Sequence, residues 1–197
     1  MRVIALTGSA AAGKSTVGAL FREWGTPVID ADVLVRDLQR RGEPVYRAIV
    51  DEFGPGILGA DEEIDRPRLR RVVLRDPVAR RRLESLVHPA VERRRVELLA
   101  AAAARGERLV VAEIPLLFEA ADPGAYHGVI VVDAPLAERR RRLIEERGMS
   151  PREVDQLIAA QLPAETKRLR ATWTIDNDAD RGALTERARR LWETLQS

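Results

Sequence analysis

Gly8-Ser9-Ala10-Ala11-Ala12-Gly13-Lys14-Ser15 decides how this chain is read. The octet fits G-x-x-x-x-G-K-[ST], and its setting fits as well. An apolar run at 2–7 reads as a buried parallel strand before it, and 14–24 reads as a helix after it. The logic is anion capture: glycines let the backbone curl until its N–H groups converge on phosphate oxygens, and the helix N-terminus adds partial positive charge. Gly8, Ala11, Ala12, Gly13, Lys14, Ser15 and Thr16 are therefore candidate ATP contacts. Lys14 reaches toward the β- and γ-phosphates, and the Ser15 hydroxyl takes Mg2+. A dinucleotide-binding fold is excluded because the G-x-G spacing is missing. A switch GTPase needs an N-K-x-D guanine motif, which the sequence lacks. The D-x-x-G match at Asp51 and Gly54 falls in a region read as helical.

Outward from the loop, short apolar runs at 28–29, 109–114, 128–133 and 173–175 read as further strands. Helices are expected at 36–53 (broken near 42–44), 66–75, 77–87, 89–105, 135–147, 150–161 and 179–195. Pro77 and Pro89 suit first-turn positions, and Ser150 with Glu153 forms a capping box. A glycine-rich loop is expected at 54–60. Strands alternating with helices give an α/β fold of three layers, a parallel sheet covered on both faces. The helical block between the second and third strands reads as an inserted lobe. The expected organisation is one P-loop kinase domain over 1–197. Its core is about 1–32, 106–135 and 171–197, its acceptor lobe about 33–105 and its helical lid about 136–170.

Carboxylates fall where ligands bind in such sheets, outside the carboxyl ends of the strands. Asp30 and Asp32 close the second strand two residues apart, so strand alternation lets them face the same way. One carboxylate there can orient or deprotonate an acceptor hydroxyl while another serves Mg2+ through water; Asp32 equally fits a helix N-cap. Glu113 closes the third strand, the position of a magnesium-directed acid in P-loop folds, and also fits a plain exposed strand-end charge.

Composition narrows the class. The 197 residues are 45% hydrophobic and 32% charged with a net charge of +2, as expected of a soluble globular chain. No apolar run approaches a membrane span, and the first six residues are too short for a signal peptide. With no cysteine there is no disulfide, and a cytoplasmic location is expected. Nucleic acid is not expected as a partner, because many arginines have carboxylates at helical spacing, such as Arg142 and Glu138. Only Lys14 and Lys167 are lysines, so Lys167 draws notice beside the loop lysine. The oligomeric state is open, with a monomer favoured.

In order along the chain, several motifs make the sequence resemble the dephospho-coenzyme A kinases. The loop from Leu6 to Thr16 looks like that family's opening. Val28-Ile29-Asp30-Ala31-Asp32 looks like its second-strand motif. Ile64-Asp65-Arg66 with Leu69, then Leu83-Glu84 and Val87-His88-Pro89, resembles its acceptor lobe. Ile114-Pro115-Leu116-Leu117-Phe118-Glu119 is similar to its third-strand signature. Gln161, Lys167 and Ile175-Asp176-Asn177 resemble its lid end and adenine loop. The resemblance implies ATP-dependent phosphorylation of the ribose 3′-hydroxyl of dephospho-coenzyme A, with Mg2+ accompanying ATP. It implies Asp32 as the acceptor-activating carboxylate and an arginine of the lid on the phosphates. It also implies His88, Leu116 and Phe118 on the acceptor side and Asn177 near the adenine. Read from the residues alone, His88 also fits a helix cap, Asn177 a turn, and His127 a plain surface position. Another P-loop kinase, acting on a nucleoside, nucleotide or hydroxy acid, shares the loop and lid.

The sequence departs from the family pattern in four places. Ser9-Ala10-Ala11-Ala12 stands where glycines are usual, which alanine tolerates if no positive φ is needed. Thr172-Trp173 replaces Ala-Asp. The lid arginine usually lies two residues before Gly-Met/Leu-Ser, whereas Arg147 directly precedes Gly148. This leaves Arg142, Arg147 and the run Arg139-Arg140-Arg141 as candidates for the phosphate clamp. Ala120-Ala121-Asp122-Pro123-Gly124 is a loop variant without assigned chemistry.

Overall fold

A computed structural model describes residues 1–196. The chain forms two compact units: Met1–Asp30 joined by the chain from Ala102 onward, and Ala31–Ala101.

The first unit is built on a parallel sheet. Its strands are β1 (Arg2–Gly8), β2 (Val28–Asp30), β3 (Leu109–Glu113), β4 (Gly128–Asp133) and β5 (Trp173–Asp176), ordered β2-β3-β1-β4-β5. Its helices are α1 (Lys14–Glu23), α6 (Leu117–Ala120), α7 (Leu136–Glu145), α8 (Pro151–Ala159), α9 (Ala164–Leu169) and α10 (Arg181–Gln196). Alternation along the strands sorts the apolar side chains onto two faces. Ile4, Leu6, Ile130 and Val132 pack with Val17, Leu20 and Phe21 of α1 and with Leu184 and Ala188 of α10. Ala5, Val129 and Val131 face the other way, onto Leu117 and Phe118 of α6. Burial on both faces explains why these strands read as near-continuous apolar runs. Beyond the first core lies an aromatic group: the Trp24 and Trp192 rings meet edge-on at 5.8 Å, and the Arg189 guanidinium sits 4.0 Å from the Trp24 ring centre. At the start of β1, exposed His127 extends the pairing with β4: its backbone N–H donates to the Val3 carbonyl, and its Nδ1 accepts from the Val3 N–H at 3.1 Å.

The second unit holds α2 (Ala31–Leu38), α3 (Pro44–Phe53), α4 (Arg66–Arg75) and most of α5 (Pro77–Ala104). Val45, Tyr46, Ile49, Ile57, Ile64, Leu69, Val87 and Ala90 form its own core. The glycine-rich stretch becomes a short 3-10 turn at Pro55–Ile57 and an isolated antiparallel bridge between Leu58 and Ile64.

Three expectations change. Helices at 77–87 and 89–105 are one helix of 28 residues with Pro89 inside it. Proline removes one amide donor and leaves a carbonyl a turn back unpaired, but Val87 and Ala90 are buried on either side, so core packing holds the helix through the break. Asp32 does not cap a helix: α2 begins at Ala31 and places Asp32 in its first turn, where an acid suits the helix dipole. Strand geometry ends at Asp30, so the strand alternation proposed to align Asp30 with Asp32 does not reach Asp32.

Candidate active site

The loop between β1 and α1 closes on Gly13, which takes φ 98° in the left-handed region. A Cβ there would also lie 2.3 Å from Asn177 Nδ2, so only glycine fits. Ala11 adopts φ 58° as well. The condition under which alanine would replace glycine without cost, no positive φ, is thus not met. An L-residue held there stores about 1–2 kcal/mol.

Three side chains from three parts of the unit hold backbone groups of three successive loop residues. The Ala10 N–H donates to Gln161 Oε1 at 3.0 Å. Arg142 Nη1 donates to the Ala11 carbonyl at 3.2 Å. Asn177 Nδ2 donates to the Ala12 carbonyl at 2.8 Å, and Asn177 is 6% exposed. The side chain expected near an adenine is therefore committed, in this structure, to the phosphate loop.

Behind the loop, Lys14 Nζ and Ser15 Oγ both donate to Glu113 Oε1, each at 2.8 Å. Glu113 is 2% exposed, which removes the reading of it as an exposed strand-end charge. Its other oxygen lies over Gly18, where a Cβ would stand 2.6 Å from Oε2. A larger residue at 18 would evict the carboxylate. Ser15 Oγ and the Glu113 oxygen it meets at 2.8 Å are hard oxygen donors of the kind Mg2+ takes with nucleotide phosphates. Among the described residues no group of three or more His, Cys, Asp or Glu side chains forms an all-protein metal site.

The lid arginines separate clearly. Arg142 reaches the phosphate loop and is steadied by Glu138, whose Oε1 accepts from Arg142 Nε at 2.9 Å. Hydrogen bonds from Arg141 first, and then Arg142, push the Glu138 carboxyl down to about 2. Arg139 is buried and donates to the Ala134 carbonyl, and burial lowers its pKa. Arg140 pairs with Asp155, and Arg141 with Glu138 and Glu145. Arg147 is exposed, beyond the end of α7. Of the arginines considered, Arg142 is thus the one whose guanidinium meets the phosphate loop.

The third-strand signature divides. Leu116 is 42% exposed. Phe118 is 8% exposed, packs into the core under the sheet and carries the Arg170 guanidinium 4.6 Å from its ring centre. Lys167, 0% exposed, points into the protein, with Nζ 2.8 Å from Glu119 Oε1. The approach lies off the axis of a hydrogen bond, so Lys167 Nζ and Glu119 Oε2 are both buried without hydrogen-bond partners. Glu119 Oε1 also accepts from the Leu162 N–H at 3.0 Å. In the second unit, Asp32 is exposed and interacts with neighbouring groups. His88 is exposed in the middle of α5, which removes the reading of it as a helix cap.

Sequence reasoning placed Gln161 and Glu119 in motifs of the resemblance without giving either a contact, and passed over Gly18. Glu138 carried a signal, its four-residue spacing from Arg142. Gly18 carried one too, a glycine inside a helix.

The chain as a whole is similar to known proteins. The dephospho-CoA kinase family model matches residues 2–182. A dephospho-CoA kinase of Symbiobacterium thermophilum is 45% identical over 184 residues, 93% of this chain and 76% of that protein. One from Anaeromyxobacter dehalogenans is 42% identical over 196 residues, covering 100% of this chain and 93% of its own. A solved crystal structure from Thermus thermophilus superposes with a TM-score of 0.81 at 39% identity, covering 100% of this chain and 98% of that one.

Proposed function

Because this chain belongs to the dephospho-CoA kinase family, we propose that the residues described above carry that family's reaction, with Asp32 taking the acceptor's proton. The enzyme transfers the terminal phosphoryl group of ATP to dephospho-CoA, giving CoA and ADP, the last step of CoA biosynthesis.

The observation that supports this assignment of residues is the convergence of Lys14 Nζ and Ser15 Oγ on Glu113 Oε1. It presents an ammonium, a hydroxyl and a carboxylate in one cluster directly behind a phosphate loop. Phosphoryl transfer passes through a loose transition state, so positioning and charge neutralisation do most of the work. Lys14 exchanges its bond to Glu113 for the β- and γ-phosphate oxygens. Arg142, already at the Ala11 carbonyl, adds the second positive charge to the γ-phosphate; Arg147 is the alternative. Such an arginine contributes about 10³–10⁵ in rate. Ser15, with Glu113 behind it, would hold Mg2+, which would supply neutralisation of phosphate charge when bound. Asp32 orients the ribose 3′-hydroxyl and accepts its proton late, worth about 10²–10⁴. The loop amides of Gly8, Ala11, Ala12, Gly13 and Thr16 cradle the phosphates. Asn177 serves ATP by bracing Ala12. His88, Leu116 and Phe118 belong to the acceptor side.

We take the chain to act as one kinase domain, with 33–105 receiving the acceptor and 136–170 excluding water from ATP. We take its working form to be a cytoplasmic monomer. Among the described residues no helix is long and apolar enough to cross a membrane.

The test is ADP release with Mg·ATP and dephospho-CoA, run beside adenosine, AMP, cytidylate and shikimate. Turnover confined to dephospho-CoA, with CoA identified by mass, is the expected result. ATP binding with turnover on another acceptor would overturn the substrate.

A further inference from the structure

The buried Lys167–Glu119 pair has no place in the chemistry above, yet it leads to the phosphate loop in two steps. Glu119 Oε1 accepts from the Leu162 N–H at 3.0 Å and lies 2.8 Å from Lys167 Nζ, so a single carboxylate oxygen fixes the segment following α8 at two points. The residue just before Leu162 is Gln161, whose Oε1 takes the Ala10 N–H. The next residue of the loop, Ala11, is the one held at φ 58°.

We propose that Gln161, held in place by Glu119 and Lys167, is a positioning residue that keeps the alanine-bearing phosphate loop in its nucleotide-binding shape. In a loop with glycine at position 11 the left-handed conformation is freely accessible. With alanine it is disfavoured, and the neighbouring peptide must be restrained from outside. The restraint comes from Gln161 on one side of Ala11 and Asn177 on the other, with Arg142 at the Ala11 carbonyl itself. The pair behind Gln161 is built for position: Lys167 is fully buried, and a flexible, unpaired glutamine loop would lose the alignment that one hydrogen bond requires. Nucleotide binds only the shaped loop, so its apparent affinity falls with the fraction of protein in that shape.

This inference rests on the reading of Ser9–Lys14 as the nucleotide site. It is tested by ADP binding, which requires no acceptor. Calorimetric titration of ADP with Mg2+ would compare the wild-type protein, Gln161→Ala, Ala11→Gly and the double variant, with thermal unfolding of each as a check on folding. Gln161→Ala alone is expected to weaken ADP about tenfold, from the lost bond and the released strain together. In the Ala11→Gly background the same change is expected to cost less than about threefold, because glycine keeps the shape unaided. Glu119→Ala is expected to weaken ADP in the same direction as Gln161→Ala, with Ala11→Gly again relieving the loss. Equal losses from Gln161→Ala in the two backgrounds, or no loss in the alanine background, would overturn the proposal. A wild-type protein that bound no ADP would overturn it along with the nucleotide site. A protein showing the coupled losses but no turnover of dephospho-CoA would uphold the clamp and refute the substrate.

Discussion

Replacing Gly18 with alanine sets a small gain in the helix against a larger loss at Glu113. Within a helix, glycine to alanine ordinarily stabilises by about 0.5–1 kcal/mol. Here the new methyl would stand 2.6 Å from Glu113 Oε2 and 3.6 Å from Leu6 Cδ2. Ordinary contact begins at 3.4 Å, so the oxygen must recede by roughly 0.8 Å. A carboxylate is rigid, and Oε1 moves with it, away from two hydrogen bonds of 2.8 Å. Hydrogen bonds to charged groups are worth about 1.5–3 kcal/mol each, and the carboxylate is too buried to find water instead. The helix gain offsets only a small part of the roughly 3–6 kcal/mol the two bonds represent, so unfolding by urea should report a net loss of about 2–5 kcal/mol. Activity should fall as well. Lys14 and Ser15 lose their common anchor, and one misplaced charged contact corresponds to about 10–100-fold in kcat/KM. The coupled assay with dephospho-CoA reads this directly. A Gly18→Ala enzyme that is more stable and fully active would refute the claim that Glu113 must sit where it does.

Asp32→Asn should lower kcat by about 10²–10³ while leaving ATP affinity nearly unchanged, and an active variant with altered stability alone would assign Asp32 to the helix instead. Lys167→Met should cost about 3 kcal/mol in urea unfolding, because the Glu119 carboxylate is left without its cation. Adding Glu119→Gln should recover much of that loss, whereas simple additivity would show that the pair is not coupled. For Glu138 the folded pKa lies below its usual 4.5, at about 2. Its contribution is therefore present above about 4.5 and disappears as pH falls through about 2. A carboxyl NMR titration should give a midpoint near 2 in the folded protein and near 4.5 in Arg141→Ala/Arg142→Ala. A wild-type midpoint near 4.5 would dissociate Glu138 from both arginines.

The sheet and the phosphate loop were legible because their signals are local. Gly8 through Ser15 has a fixed spacing, and β1, β3 and β4 are uninterrupted apolar runs. The break assigned at Pro89 failed for the opposite reason: local propensity forbids proline in a helix, and tertiary burial of Val87 and Ala90 overrides it. The clamp on the loop was invisible, because Gln161 is 151 residues from Ala10 and Asn177 is 165 from Ala12. No periodicity spans such separations. The two retained lysines did carry a signal, but its meaning differed. Lys14 meets Glu113 beside the phosphate loop, and Lys167 is buried against Glu119, so both serve carboxylates in the sheet unit.

The aromatic group at the ends of α1 and α10 gives the molecule an uneven optical signature. Its three tryptophans, Trp24, Trp173 and Trp192, all lie in the sheet unit, and 31–101 contains none. Indole emission therefore witnesses the melting of the sheet unit alone, while far-ultraviolet circular dichroism, dominated by helix, witnesses both. Coincident curves from the two probes would make the molecule one cooperative block, and divergent curves would make the helical unit a separately melting body.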